Sequence, residues 1–129
     1  MASGLVRLKT RADFLRVAAK GCRAVRPGFI LQAALPANED HSRETIRVGF
    51  TASKKVGNAV TRNRAKRRLR AAAAEVLTGS GRPGADYVIV ARSTTVDRSY
   101  AALVADLETA LRQVDRLSRE DRPRRGEET

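Results

Sequence analysis

The stretch TIRVGFTASKKVGNAVTRNRAKRRLR, residues 45–70, contains two hydrophobic periods in succession. In its first part the apolar residues Ile46, Val48 and Phe50 alternate with other residues, which is the period of a strand with one buried face. From residue 58 to about 77 the spacing changes to that of an amphipathic helix. The centre of the chain is therefore predicted to be a strand that leads directly into a long helix.

The predicted helix separates apolar from charged side chains. At about 100° per residue, one narrow stripe of it holds only apolar residues: Ala65, Leu69, Ala72 and Val76, widened by Ala73 and Leu77. Cations occupy almost all of the remaining helix surface. We expect the stripe to pack against a sheet and the cations to stay outside the core.

No acidic residue interrupts this part of the chain. From Thr45 to Ala74 there are nine Lys or Arg and no Asp or Glu, so the helix lacks the i,i+4 partners of an ordinary solvated helix. The whole chain carries a formal net charge of +12, which opposes compaction unless a polyanion neutralises it. A solvated face is one interpretation. The long acid-free stretch favours the alternative, a surface for the phosphate backbone of a nucleic acid, with a membrane surface as the second candidate.

The residues upstream predict a helix and a second strand. Thr10 and Asp13 form a capping-box pattern at the start of a helix that we expect to reach about Lys20. The segment 29–35 alternates like a strand. We expect it to pair with residues 45–53 in an antiparallel hairpin.

The residues downstream predict a third strand and a last helix. Residues 86–92 are apolar on both faces, as in a central strand. Asp97 or Ser99 is predicted to cap the helix that follows. Its apolar stripe consists of Leu103, Leu107, Leu111 and Val114. We expect a single nucleic-acid-binding domain over residues 1–117 and a disordered tail over 118–129.

The order α-β-β-α-β-α predicts an α+β fold, with helices packed on a small mixed sheet. Residues 45–92 form a strand–helix–strand unit in that sheet. Such crossovers are right-handed in about 98% of proteins, so physics alone predicts that hand.

Residues for protein-based catalysis are scarce. His41 is the only histidine and Cys22 the only cysteine, and the carboxylates form no acid/base or metal-binding pattern. The P-loop spacing is absent, which argues against an ATPase. With no signal peptide and no membrane span in the sequence, we expect a cytoplasmic protein. If it takes part in a reaction, another component supplies the chemistry.

The segment RVGFTASKKVGNAVTRNRAKRRLR, residues 47–70, resembles the signature of the bacterial ribonuclease P protein component, with that family's Arg-Asn-Arg core at residues 62–64. LKTRADFLRVAAKG, residues 8–21, is similar to the family's first helix, and DYVIVARSTT, residues 86–95, to its last strand. The resemblance covers about residues 7–115.

The resemblance implies the protein subunit of a ribonucleoprotein endonuclease, a hydrolase of tRNA processing. Its RNA subunit holds the catalytic Mg²⁺ ions and removes the 5′ leader of precursor tRNA. No catalytic residue and no metal site are implied on this chain. The implied fold resembles the second domain of ribosomal protein S5 and has a left-handed βαβ crossover, against the general rule.

The resemblance also assigns site residues. For binding the RNA subunit it indicates Lys54, Lys55, Arg62, Asn63, Arg64, Lys66, Arg67, Arg68 and Arg70. For the cleft that binds the leader of precursor tRNA it indicates Phe14, Val17, Ala18, Ile30, Gln32 and Arg47. Ala18 and Gln32 stand where relatives often carry aromatic rings, so leader binding is expected to be weaker or more polar. Core packing is an equal alternative for Phe14.

Two other functions fit the composition. One is a non-catalytic ribosomal or RNA-assembly protein. The other is a DNA-binding protein whose basic helix enters a major groove, although neither a helix-turn-helix nor a dimerisation heptad is present. The length of the motif favours the ribonuclease P subunit over the non-catalytic RNA-binding protein.

Overall fold

In the computed structural model, five strands form one mixed sheet and three helices pack on it, within the described residues 5–19, 22–35 and 45–121, with side chains described as far as Leu117. The strands are β1 (Leu5–Arg7), β2 (Cys22–Val25), β3 (Phe29–Ala34), β4 (Ile46–Thr51) and β5 (Asp86–Ala91). The helices are α1 (Arg11–Ala19), α2 (Ala59–Ser80) and α3 (Tyr100–Asp121). The predicted α+β class is confirmed.

β5 is the central strand of the sheet, whose order is β1-β4-β5-β3-β2. It pairs in parallel with β4 and antiparallel with β3. Because helices cover both faces of β5, Tyr87, Val88 and Ile89 are at most 2% exposed. The prediction of a central strand here is confirmed, and β4, α2 and β5 form the expected strand–helix–strand unit.

The predicted hairpin between β3 and β4 is wrong, because β5 lies between these two strands. Ile89 of β5 pairs with Leu31 on one side and with Phe50 on the other. Alternation of apolar residues specifies which face of a strand is buried, but it does not specify the neighbouring strand. The strand that is apolar on both faces takes the central position.

The helices divide unequally between the two faces of the sheet. The larger core forms where α2 and α3 cover the side that carries Phe29, Leu31 and Val48. The smaller core lies under α1, which has only nine residues, and contains Leu8, Val17, Ala34 and Val88. A helix this short covers only part of its face, so strand residues beside it remain accessible.

Short polar side chains start each helix. Those at α1 and α3 were predicted from the sequence, and the one at α2 was not. The Thr10 hydroxyl accepts a hydrogen bond from the Asp13 amide at 3.1 Å and donates one to the Asp13 carboxylate at 3.0 Å. Asn58 Oδ1 accepts from the Thr61 amide at 2.9 Å. The Ser99 hydroxyl accepts from the Ala102 amide at 3.1 Å, so Ser99, of the two candidates, caps α3.

The sequence did not predict the two edge strands. β1 has three residues and β2 has four, which is too short for alternation to be distinguished from chance. At the other end of the chain, α3 continues to Asp121, four residues into the segment that was predicted to be a disordered tail. Residues 122–129 lie outside the described residues, as do Lys20 and Gly21.

Candidate nucleic-acid interface

The buried side of α2 is the stripe that the sequence predicts. All six members of that stripe are buried: Ala65, Leu69, Ala72, Ala73, Val76 and Leu77. The helix packs this stripe against the sheet and α3, within the larger core. Since the small and apolar side chains take the inner positions, the cations must lie elsewhere on the helix.

The side of α2 away from the core forms a surface that we call the basic face. It consists of Asn63, Arg64, Lys66, Arg67 and Arg70. Four of these are exposed and Lys66 is half-buried. Arg62, also predicted to bind RNA, is half-buried at another edge of the helix. The structure therefore places five of the predicted RNA-binding residues on one surface.

A tight turn before α2 adds two further cations. Lys54 and Lys55 are exposed, whereas Val56 is buried and anchors the turn in the larger core. Gly57 has a φ of +150°, and a β-carbon there would lie 2.8 Å from Thr61 Cγ2. Glycine therefore allows the chain to enter α2 at this point, with both lysines near the amino end of the helix.

Among the described side chains, no carboxylate balances the charge of the basic face. The ion pairs between described side chains involve other cations, namely Arg16, Arg47, Arg82 and Arg98. Residues 5–19, 22–35 and 45–117 place no carboxylate within 4.0 Å of a charged nitrogen of the basic face. A surface of this kind attracts a polyanion and gains affinity by releasing its counterions.

Arg68 differs from the cations of the basic face. Its Nη2 donates a hydrogen bond to the carbonyl oxygen of Arg98, in the loop before α3. The Nε of Arg68 is buried and has no hydrogen-bond partner among the described residues. Arg98 in turn pairs with Asp106 at 2.7 Å, and Asp106 accepts the amide of Gly28 at 3.2 Å. The guanidinium of Arg68, predicted to bind RNA, thus holds α2 to this loop.

The predicted leader-binding residues belong to α1 and the opposite face of the sheet. Phe14 packs so closely on β4 that a β-carbon on Gly49 would lie 2.5 Å from its ring. Beside α1 the strands present a partly exposed surface that we call the open strip: Val25, Ile30, Gln32 and Val90. Val25 of β2 pairs with Ile30 of β3, and Ile30 pairs with Val90 of β5. Gln32 lies two residues beyond Ile30 on the same strand. Ala18 is exposed on α1.

Two residues of the predicted leader cleft have other roles. Val17 is 0% exposed and packs in the smaller core, so its side chain offers no surface to a ligand. Arg47 donates two hydrogen bonds of 2.8 Å to the carboxylate of Asp86. These bonds raise the pKa of Arg47 and use two of the five N–H donors of its guanidinium group.

Sequence reasoning missed the carboxylate at the centre of this arrangement. Asp86 is only 2% exposed and binds the guanidinium groups of both Arg47 and Arg16. Asp13 lies 4.0 Å from Arg47 and 3.5 Å from Arg16. Together these four charged side chains tie α1 to the first residues of β4 and β5. The available signal was that Arg47 and Asp86 lie near the starts of the two strands in the predicted strand–helix–strand unit. In the structure these strands are neighbours, and the two residues pair in register.

The remaining candidates for chemistry contribute little here. His41 lies outside the described residues. Cys22 packs against the larger core, as expected of a small apolar residue. In the ranges that the structure covers, no three His, Cys, Asp or Glu side chains are grouped to hold a metal ion. No helix in these ranges is long and apolar enough to cross a membrane.

Comparisons with known proteins agree with the resemblance seen in the sequence. A family model described as Ribonuclease P matches residues 3–115. The ribonuclease P protein component of Paramagnetospirillum magneticum is 51% identical over 119 residues, covering 92% of this chain and 90% of that protein. That of Ruegeria pomeroyi is 50% identical over 113 residues, with 87% and 88% covered.

Solved structures show the same fold. The RNase P protein of Staphylococcus aureus is similar with a TM-score of 0.64 and 31% identity, covering 82% of this chain and 92% of that chain. The RNase P protein of Thermotoga maritima has a TM-score of 0.64 at 24% identity, covering 81% and 94%. The second comparison supports the fold alone, whereas the family match spans nearly all of the described residues. This chain belongs to the ribonuclease P protein family.

Proposed function

We propose that this protein is the RNA-binding subunit of a bacterial ribonuclease P and assists removal of the 5′ leader from precursor tRNA. Membership of the family implies association with the ribonuclease P RNA and with precursor tRNA. The observation that carries the proposal is the basic face of α2, whose cations lack carboxylate partners among the described side chains. A folded RNA supplies the missing negative charge.

The two faces of the molecule have different tasks in this proposal. The basic face, with Lys54 and Lys55, binds phosphates of the RNA subunit. On the other side of the sheet, Phe14 and the open strip bind the leader strand. Since the open strip is mainly aliphatic, with Gln32 as its polar member, it binds bases through apolar contact and hydrogen bonds without aromatic stacking.

The protein's contribution to the reaction is binding and orientation. Mg²⁺ ions held by the RNA subunit supply the chemistry of phosphodiester hydrolysis. The cations of the protein lower the repulsion between two polyanions, so that the RNA subunit and precursor tRNA approach with fewer metal ions. The site of action in this proposal is the cytoplasm.

Reconstitution tests the proposal. Cleavage of precursor tRNA is measured at low Mg²⁺ with the cognate RNA alone, the protein alone and both together. We expect no cleavage by the protein alone, and clearly faster cleavage by the mixture than by the RNA alone. An unchanged rate in the mixture contradicts the proposal. Tight binding of the RNA with no effect on cleavage would instead favour a non-catalytic RNA-assembly protein.

A further inference from the structure

A small apolar slot lies between the edge strand β1 and α2. Its volume is about 140 Å³, many times the roughly 10–15 Å³ that a single water requires. Val48 and Phe50 of β4 and Ala73 and Ala74 of α2 form its walls. Its size and lining match a flat organic group better than a water molecule or an ion.

Two arginines stand at the slot. Arg7, at the end of β1, and Arg70, on α2, both line it and are both exposed. The guanidinium carbon of Arg70 lies 5.6 Å from the centroid of the Phe50 ring, within the range of a cation–π contact. An apolar interior beside two cations suits a ligand that joins an apolar plane to a negative charge, as a nucleotide does.

The slot is continuous with the basic face. Asn63, Arg67, Arg70 and Ala74 follow the spacing i, i+4, i+7, i+11 and therefore share one side of α2. At 1.5 Å per residue, Ala74 lies about 10 Å along the helix from Arg67. RNA whose phosphates contact the basic face therefore has bases close to the slot.

We propose that the slot binds one unpaired nucleobase of the RNA that lies on α2. The base enters between β1 and α2 beside Phe50, while Arg70 and Arg7 contact its face or its phosphate. This inference rests on the proposed function of α2 as the RNA-binding helix. It adds a contact to a base, whereas the basic face alone provides contacts to phosphates.

Filling the slot tests the inference. Ala74 is exposed, so Ala74→Phe puts a ring into the slot without removing a charge. The matched control is Ala105→Phe, at an exposed alanine of α3 outside the slot. The Kd for the cognate ribonuclease P RNA is measured over a range of salt concentrations.

We expect Ala74→Phe to weaken RNA binding roughly 5- to 150-fold, the equivalent of one base contact of about 1–3 kcal/mol. The slope of log K against log salt should stay unchanged, because no phosphate contact is lost. Ala105→Phe should bind as the wild type does. If Ala74→Phe binds RNA with wild-type affinity, or if its salt slope falls, the inference is overturned.

Arg70→Lys provides a second test that does not depend on the packing of a new ring. It keeps the charge and removes the planar group that lies over Phe50. We expect weaker RNA binding at an unchanged salt slope, and wild-type affinity would count against the slot. The proposed function is judged separately by the wild type. If the wild type neither binds the RNA nor accelerates cleavage, both proposals fail. If the wild type is active and both Ala74→Phe and Arg70→Lys bind the RNA with the same affinity as the wild type, only the slot is rejected.

Discussion

The ring of Phe14 lies directly against Gly49, and a β-carbon on Gly49 would be 2.5 Å from two atoms of that ring. This contact joins α1 to β4 at the edge of the proposed leader cleft. It leaves room for no side chain at position 49, so the orientation of Phe14 depends on the glycine.

Gly49→Ala should therefore destabilise the protein by about 1–3 kcal/mol through overpacking. The displaced Phe14 should also weaken the preference of the reconstituted enzyme for precursor tRNA over mature tRNA. Urea denaturation and the two tRNA affinities measure these effects. The control is Gly79→Ala in α2, where a β-carbon meets nothing within 4 Å. It should be neutral or stabilise by up to about 1 kcal/mol. A Gly49→Ala protein as stable as the wild type would contradict the contact.

Arg64→Ala combined with Arg67→Ala removes two exposed cations of the basic face. RNA affinity should fall, and the slope of log K against log salt should flatten by roughly one to two units. The control removes the same charge from α3, with Arg112→Ala and Arg116→Ala, which are also exposed. Equal effects of the two double variants would show that net charge, and not the basic face, governs binding.

Asp86→Asn removes the buried carboxylate that holds Arg16 and Arg47. Because Arg16 is 41% exposed and Arg47 32% exposed, water relieves part of the loss, and we expect a cost of about 1–3 kcal/mol. Glu108→Gln, at an exposed carboxylate of α3, should change the free energy of unfolding by less than about 0.5 kcal/mol. Similar unfolding free energies for Asp86→Asn and the wild type would show that the ion pairs do not anchor α1.

The buried phenol of Tyr87 predicts a loss of stability at alkaline pH. Burial raises its pKa to about 12, from about 10 in the unfolded chain. The neutral form is favoured in the folded state, so this contribution is fully present below pH 10 and is lost as the pH rises towards 12. A shift of this size corresponds to roughly 3 kcal/mol. Across this pH window, the free energy of unfolding of Tyr87→Phe should fall less steeply with rising pH than that of the wild type.

A titration checks the same pKa directly. The chain has two tyrosines, so in Tyr100→Phe only Tyr87 contributes phenolate absorbance. We expect its midpoint near pH 12, unless the protein unfolds first and the phenol then titrates as an exposed group. A reversible midpoint near pH 10 in the folded protein would be incompatible with burial of the phenol.

Much of the candidate site follows from residues that are close in the sequence. The buried stripe of α2, its exposed cations and the caps at Thr10, Asn58 and Ser99 all depend on spacings of three or four residues. A helix converts such spacings into faces and ends irrespective of the rest of the fold. The roles of Arg68 and Arg47 did not follow, because their partners, Arg98 and Asp86, are 30 and 39 residues away.

The sequence by itself determined which segments form the long helices and the main strands, which faces are buried, and where negative charge is missing. These are properties of neighbouring residues and of periodicity. Only the tertiary structure decided that β5 lies between β3 and β4, that Asp86 forms ion pairs with two arginines, and that a slot lies beside Arg70. Each of these depends on segments that meet in space after long chain separations. Many pairings of the same amphipathic elements satisfy the local pattern, and packing of the whole domain selects one of them.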